Sequence, residues 1–264
     1  PPAVVRSVPG STRKVCQLTG DFDRQAGGPT GNLTDTRHGV WGTDLGASFE
    51  FEGRTIYLFG DTVGARPGDR DVLATSTDTD PSDCVVLDFE NAADGAFRPL
   101  DVPGIGQGAF EVPTGGFAAG AEMWVYFFTG HPDATRSVLA RSGDGGVTFE
   151  PVYEVSADRL RTISPVPGPA PEGSGFVGPG VYLFGSGAYR ASSPYLAFVP
   201  LDGVGDPDEI VYLGGTGEGA ARWVADEAAA EPLFEQPCLG ELSASWNEPL
   251  GRWLLLYNCD DPRG

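Results

Sequence analysis

The stretch 41–62, WGTDLGASFEFEGRTIYLFGDT, carries an aspartate near each end of an alternating apolar pattern. Folding it about Glu52-Gly53 as a two-residue turn pairs Phe51 with Arg54, Phe49 with Ile56 and Ala47 with Leu58, and sets Asp44 opposite Asp61. Like charges opposed on a sheet repel. Two carboxylates in contact cannot both ionise cheaply, so one holds its proton to higher pH or a cation intervenes. A third acid, Glu241, starts a similar hairpin, GELSASWNEPLGRWLLLYN. Two carboxyls flanking a glycosidic bond suffice to hydrolyse it: one protonates the leaving oxygen and the other acts as base or nucleophile. Trp41, Phe110 and Trp246 offer faces on which sugar rings stack.

Each of these residues also has a plainer reading. Asp61 can cap the turn that follows it. Asp44 can bind backbone amides or ligate calcium, and Glu241 can form a buried ion pair with Arg222. Further candidates for substrate contact are Glu111 in FEVPTGG, His131 at the end of the apolar run FFTGHP, and Arg222-Trp223 after GTGEGA. A loop glutamate, a structural histidine and core packing are the respective alternatives. The residues call for no cofactor, with Ca²⁺ at the paired acids or the acidic run 77–83 as the one exception. That run lacks the spaced ligands of an EF-hand loop and reads as a solvated turn. GTGEGA lacks the helix and Lys-Ser/Thr of a phosphate loop. No G-x-S-x-G elbow occurs.

The elements that must position these acids are strands. Helical periodicity is nearly absent; VADEAAAEPLF (224–234) alone has helix-forming composition, as one short helix or a loop. TIYLFGD, MWVYFFTGH, GVYLFGSG and RWLLLYNC are aromatic-rich runs that end in small or polar residues. The first, second and fourth follow a glycine-containing partner, and the first three precede a third strand: DVLATST, SVLARS and SPYLAFVPL. Repeats of roughly 55–75 residues of this form match four-stranded propeller blades. SGDGGVTF (142–149) fits the Asp-box turn of such blades, with Ser142 and Asp144 binding amides above a buried Phe149. These features predict an all-β fold: a single β-propeller domain over 1–264, five-bladed, of four-stranded antiparallel blades, with 1–40 as an N-terminal segment. Because the fourth repeat stops after two strands, either 1–40 supplies the missing strands or the natural protein continues beyond Gly264 into the rest of blade four and a fifth blade; continuation or cleavage is expected, because NCDDPRG ends where a third strand should begin. The innermost strand of each blade would line a channel, bringing Asp44, Asp61 and Glu241 to one mouth.

The 37 acidic residues outnumber 17 basic ones, for a net charge of −20, which argues against nucleic acid or an anionic membrane surface as partner. No apolar run is long enough to span a bilayer. Cys238 and Cys259 lie equidistant from the centre of the last hairpin, predicting one disulfide, and elimination leaves Cys16–Cys84 as the other. Disulfides fit a secreted or cell-envelope protein.

The succession GTDLG…YLFGDT, VPTGGF, a Trp-Val-Tyr-Phe-Phe strand and GELSASWNEPLGRWLLLYN resembles a bacterial family of domains of unknown function associated with endo-D-arabinanases. These are five-bladed propeller glycoside hydrolases acting on the D-arabinan of mycobacterial-type cell walls. The resemblance covers about residues 38–260. It implies an extracellular polysaccharide substrate and makes Asp44, Asp61 and Glu241 the catalytic candidates, with Asp44 as base or nucleophile, Glu241 as general acid and Asp61 tuning Asp44. The competing expectations are a non-catalytic carbohydrate-binding propeller and a calcium-stabilised structural or adhesion module.

Overall fold

Alternating apolar residues punctuated by Gly, Pro and Asp fold into short antiparallel strands through the described residues. The computed structural model of the protein describes residues 8–80, 82–130 and 135–259. Strands β1 (Phe22–Asp23) and β2 (Gly28–Pro29) pair with each other, and a five-residue helix α1 (Thr34–His38) follows. The N-terminal segment therefore forms its own ribbon and lends these strands to no blade.

The first blade comprises β3 (Val40–Phe51), β4 (Arg54–Gly64), β5 (Arg70–Ser76) and β6 (Asp88–Phe89), hydrogen-bonded in chain order. The second is β7 (Val112–Ala119), β8 (Glu122–Thr129), β9 (Arg136–Ser142) and β10 (Glu150–Ser156), also in chain order. The third has five strands rather than four: β11 (Thr162–Pro169), β12 (Pro179–Ser186), β13 (Pro194–Pro200), β14 (Val211–Leu213) and β15 (Trp223–Val224). The hairpin β16 (Leu239–Asn247) and β17 (Arg252–Cys259) begins a fourth. The first strands pack in succession, β3 on β7, β7 on β11 and β11 on β16. This is a β-propeller whose ring is open among the described residues. In the segment 224–234, Val224 ends β15 and a single 3₁₀ turn, Glu227–Ala229, follows.

Strand β8 shows how the blades are held together. It is buried on both faces, and its period of two divides its side chains between two cores. Met123, Val125 and Phe127 meet Phe51, Ile56 and Leu58 of the first blade, while Trp124 and Tyr126 meet Val181, Leu183 and Val199 of the third. Each fully buried apolar side chain contributes about 1.5–3 kcal/mol, so the blade interfaces fix where the inner strands sit. The paired glycines of β7 serve the same end: a Cβ on Gly116 would overlap the Phe49 ring, and one on Gly115 would overlap Pro165. Ile163 N donates to Thr114 Oγ1 (3.2 Å) and Ala244 N to Ser164 Oγ (3.0 Å), tying β11 to β7 and β16 to β11.

The first hairpin keeps the expected pairs Phe51–Arg54, Phe49–Ile56 and Ala47–Leu58. The direct Asp44–Asp61 opposition is corrected. A bulge between Leu45 and Ala47 slips the register, so that Asp44 faces Gly60. Leu45, Gly46 and Asp61 all have positive φ (63°, 119° and 42°), which turns the two acids out of the regular ladder. The 142–149 turn is built on hydrogen bonds: Asp144 Oδ1 accepts from Val147 N (3.0 Å) and Thr148 N (2.9 Å), Ser142 Oγ accepts from Gly146 N (2.9 Å), and Phe149 is buried. The two disulfides are Cys16–Cys84 and Cys238–Cys259, with Cα–Cα separations of 5.5 and 4.9 Å.

Candidate active site

Because the four first strands face a common axis, their residues enclose one cavity of about 920 Å³. Its wall is drawn from 44–48 of β3, 112–116 of β7, 162–165 of β11 and 241–244 of β16. Asp44, Asp61 and Glu241 all line it, with Phe110, Tyr189 and Asn258. Three carboxylates from two blades thus meet in one concave site without a lysine, arginine or histidine among the described lining residues.

Each acid is held differently. Asp44 lies exposed at the bulge, and its Oδ1 accepts from the neighbouring Leu45 N (2.7 Å). Asp61 is half-buried, and its Oδ1 accepts from Phe110 N across the blade boundary (3.0 Å), rather than capping its own turn. Burial raises the Asp61 carboxyl above the ordinary aspartate range against the pull of that N–H, and the nearby charges of Asp69, Asp44 and Glu241 push in the same direction. Glu241 Oε1 accepts from the Tyr189 hydroxyl (2.7 Å) and Oε2 from the Asn258 side-chain amide. The ion pair expected between Glu241 and Arg222 is not formed: Arg222 bonds the Gly214 carbonyl and pairs with Glu231 (3.5 Å).

Phe110 takes φ 69° and presents a ring that is 70% exposed at the cavity. Other predicted contacts lie elsewhere. Glu111 is buried behind the wall, where its Oε1 accepts from Gly130 N (2.8 Å) and Thr129 Oγ1 (3.3 Å). Arg222 and Trp223 sit at the outermost strand of the third blade, the opposite edge from its channel strand. Trp41 is exposed and outside the cavity lining. Trp246, five residues along β16 from Glu241, packs edge-on against Trp253 at 5.4 Å. His131 lies outside the described residues. No grouping of three or more His, Cys, Asp or Glu suited to a metal ion occurs among the described residues.

Sequence reasoning missed Tyr189 and Asn258, the two side chains that orient Glu241. Asn258 carried a signal, since it is a polar residue near the end of the second strand of its repeat, as Asp61 is in the first. It also missed Asp71, a buried acid of β5 that accepts from Gln107 Nε2 (2.8 Å). Burial drives the Asp71 carboxyl well above its ordinary range; the Gln107 bond opposes this, and the charges of Asp61 and Glu111 reinforce it.

The model of a family described as a domain of unknown function, DUF4185, matches residues 30–264. The chain belongs to the DUF4185 family. Among solved structures, this DUF4185 chain is similar to an α-L-arabinofuranosidase from Lactobacillus brevis, at 12% identity and TM-score 0.48, over 83% of this chain and 65% of that one. It is similar to an endo-arabinase from Bacteroides thetaiotaomicron VPI-5482, at 12% identity and TM-score 0.47, over 84% and 72% of the two chains. A third similar structure is Zg3597, a family 117 glycoside hydrolase from Zobellia galactanivorans, at 13% identity and TM-score 0.40, over 91% and 87%. The DUF4185 chain thus spans 65% of the length of the first of these structures. No curated protein sequence matches it. No helix of the described residues is long and apolar enough to cross a membrane.

Proposed function

We propose that this protein is a glycoside hydrolase that cleaves a furanoside-containing polysaccharide, cell-wall D-arabinan foremost, by endo attack. The observation that carries the reading is the convergence of Asp44, Asp61 and Glu241 on one cavity, beside an exposed aromatic ring. Hydrolysis of a glycosidic bond needs a proton donor on one side of the bond and a base or nucleophile on the other. Glu241, oriented at both oxygens by Tyr189 and Asn258, serves as the general acid to the leaving oxygen. Asp44, the most exposed of the three acids, serves as base or nucleophile. Asp61 tunes Asp44: while it holds its proton it spares Asp44 a second negative neighbour. Phe110 stacks on a sugar ring. A cavity wall without cations fits a neutral glycan. The family resemblance of the GTD…GDT and GELS…W segments supplies the sugar. The two disulfides fit work outside the cytosol.

The test is product analysis after incubating arabinan with wild type, Asp44→Asn and Glu241→Gln. Oligosaccharides released by wild type and lost in both variants support the reading. Binding without cleavage by all three proteins would instead assign a carbohydrate-binding propeller. A thermal shift abolished by chelator, with no cleavage, would assign a calcium-stabilised module.

A further inference from the structure

The last part of the connection between the first two blades, 100–111, has no regular secondary structure, yet it is fastened along its length. At its start Leu100 N donates to the Asp71 carbonyl (2.9 Å). In its middle the Gln107 side chain works at both ends: Nε2 donates to Asp71 Oδ2 (2.8 Å) and the Leu100 carbonyl (3.1 Å), while Oε1 accepts from Val102 N (2.7 Å). Thr129 Oγ1 donates to the Gly106 carbonyl (2.9 Å), and the Glu111 carboxylate packs so closely on Gly106 that a Cβ there would overlap it. The outcome of this bracing is local. The loop delivers Phe110 in a left-handed conformation that a bulky residue keeps only where its surroundings over-determine it. From there the Phe110 amide reaches Asp61 and the ring reaches the cavity.

We propose that Asp71, acting through Gln107, is a positioning residue for the Asp61–Phe110 pair. The assignment rests on the glycosidase reading of the cavity. Asp71 touches no substrate; it is 2% exposed and sits behind the wall. Its carboxyl supplies the acceptor that orients Gln107, Gln107 closes the loop on itself, and the closed loop holds the Phe110 N–H on Asp61 Oδ1. A neutral acceptor does this as well as a charged one, so the conservative amide is a sharp control.

The experiment compares Asp71→Asn, Asp71→Val and Gln107→Leu by two readouts on the intact chain. The first is exchange of the Phe110 amide, which needs no substrate. The second is steady-state cleavage of arabinan. In Asp71→Val and Gln107→Leu the Phe110 amide should exchange about tenfold faster or more, and KM should rise about tenfold with a smaller fall in kcat, since the stacking ring and Asp61 are displaced together. Asp71→Asn should hold both within about twofold of wild type, because its side-chain oxygen still accepts from Gln107. If Asp71→Val fails to fold, Gln107→Leu decides alone. Wild-type protection of the Phe110 amide in a folded Gln107→Leu overturns the proposal, as does an Asp71→Asn no better than Asp71→Val. Should wild type cleave no furanoside, the glycosidase reading fails, and amide exchange still decides whether Asp71 and Gln107 hold Phe110 on Asp61.

Discussion

Replacing Tyr189 by Phe isolates one atom of the site. The Tyr189 hydroxyl donates to Glu241 Oε1 at 2.7 Å. The ring below it is already 42% exposed and stacked under the Arg190 guanidinium at 5.1 Å. The ring remains in Tyr189→Phe, so the change is confined to the hydroxyl's hydrogen bonds, the one to Glu241 and the one with the Arg190 side chain. A hydrogen bond to a charged group contributes about 1.5–3 kcal/mol when buried; partial exposure and the second anchor from Asn258 bring this to about 1–1.5 kcal/mol. If Glu241 delivers the proton to the leaving oxygen, that energy appears in the transition state as a loss of about tenfold in kcat/KM, since about 1.4 kcal/mol is one decade of rate. Initial rates of reducing-end release from arabinan measure it, with the melting temperature as a control for folding. The melting temperature should fall by no more than about 3 °C, the shift that about 1–1.5 kcal/mol produces in a chain of this size. A variant equal to wild type in kcat/KM refutes the view that Tyr189 orients a catalytic Glu241. A large melting loss would mean that the contact is structural.

Three further outcomes follow from the same structure. Tyr126 is fully buried, with no hydrogen-bond partner for its hydroxyl among the described residues, so Tyr126→Phe should stabilise by about 1 kcal/mol in urea denaturation. Asp71 has its folded pKa raised above 3.8. The folded state therefore binds the extra proton, and stability falls as pH rises from about 4 through the folded value. Asp71→Asn should thus melt higher than wild type at pH 7, with the gap closing towards pH 4 and below. The Cys238–Cys259 bridge spans 21 residues and closes the hairpin that carries Glu241 and Asn258; its removal by a double Ser variant should cost about 3 kcal/mol on loop-closure entropy, seen as a lower melting temperature and a smaller response to reductant, since Cys16–Cys84 remains.

Much of the fold was legible because propeller blades repeat a local pattern. The hairpins of the first, second and fourth repeats announce themselves by alternation around glycine-containing turns, and their second strands by dense aromatics. The third inner strand was missed because Pro165, Pro167 and Pro169 look like strand breakers. The innermost strand has one free edge, so prolines at alternate positions need forfeit no ladder bond. Strand β15 is two residues long and has no period to read. The meeting of Asp44, Asp61 and Glu241 was foreseen from strand ends, yet the register between the aspartates was not, since bulges at Leu45-Gly46 and Asp61 break the count of two that sequence reasoning relies on. Tyr189 and Asn258 follow from tertiary packing of the third blade against the fourth hairpin, and single-segment patterns do not encode that.

The central claim is that the acids of the cavity act together on one glycosidic bond. Steady-state cleavage of D-arabinan by Asp44→Asn, Glu241→Gln and the double variant tests it most directly. Groups that act as a unit are not additive: each single variant should lose about a thousandfold or more in kcat, and the double should be little worse than the poorer single. Variants that still cleave arabinan at wild-type rate, or a double whose loss is the full product of modest single losses, would contradict the account.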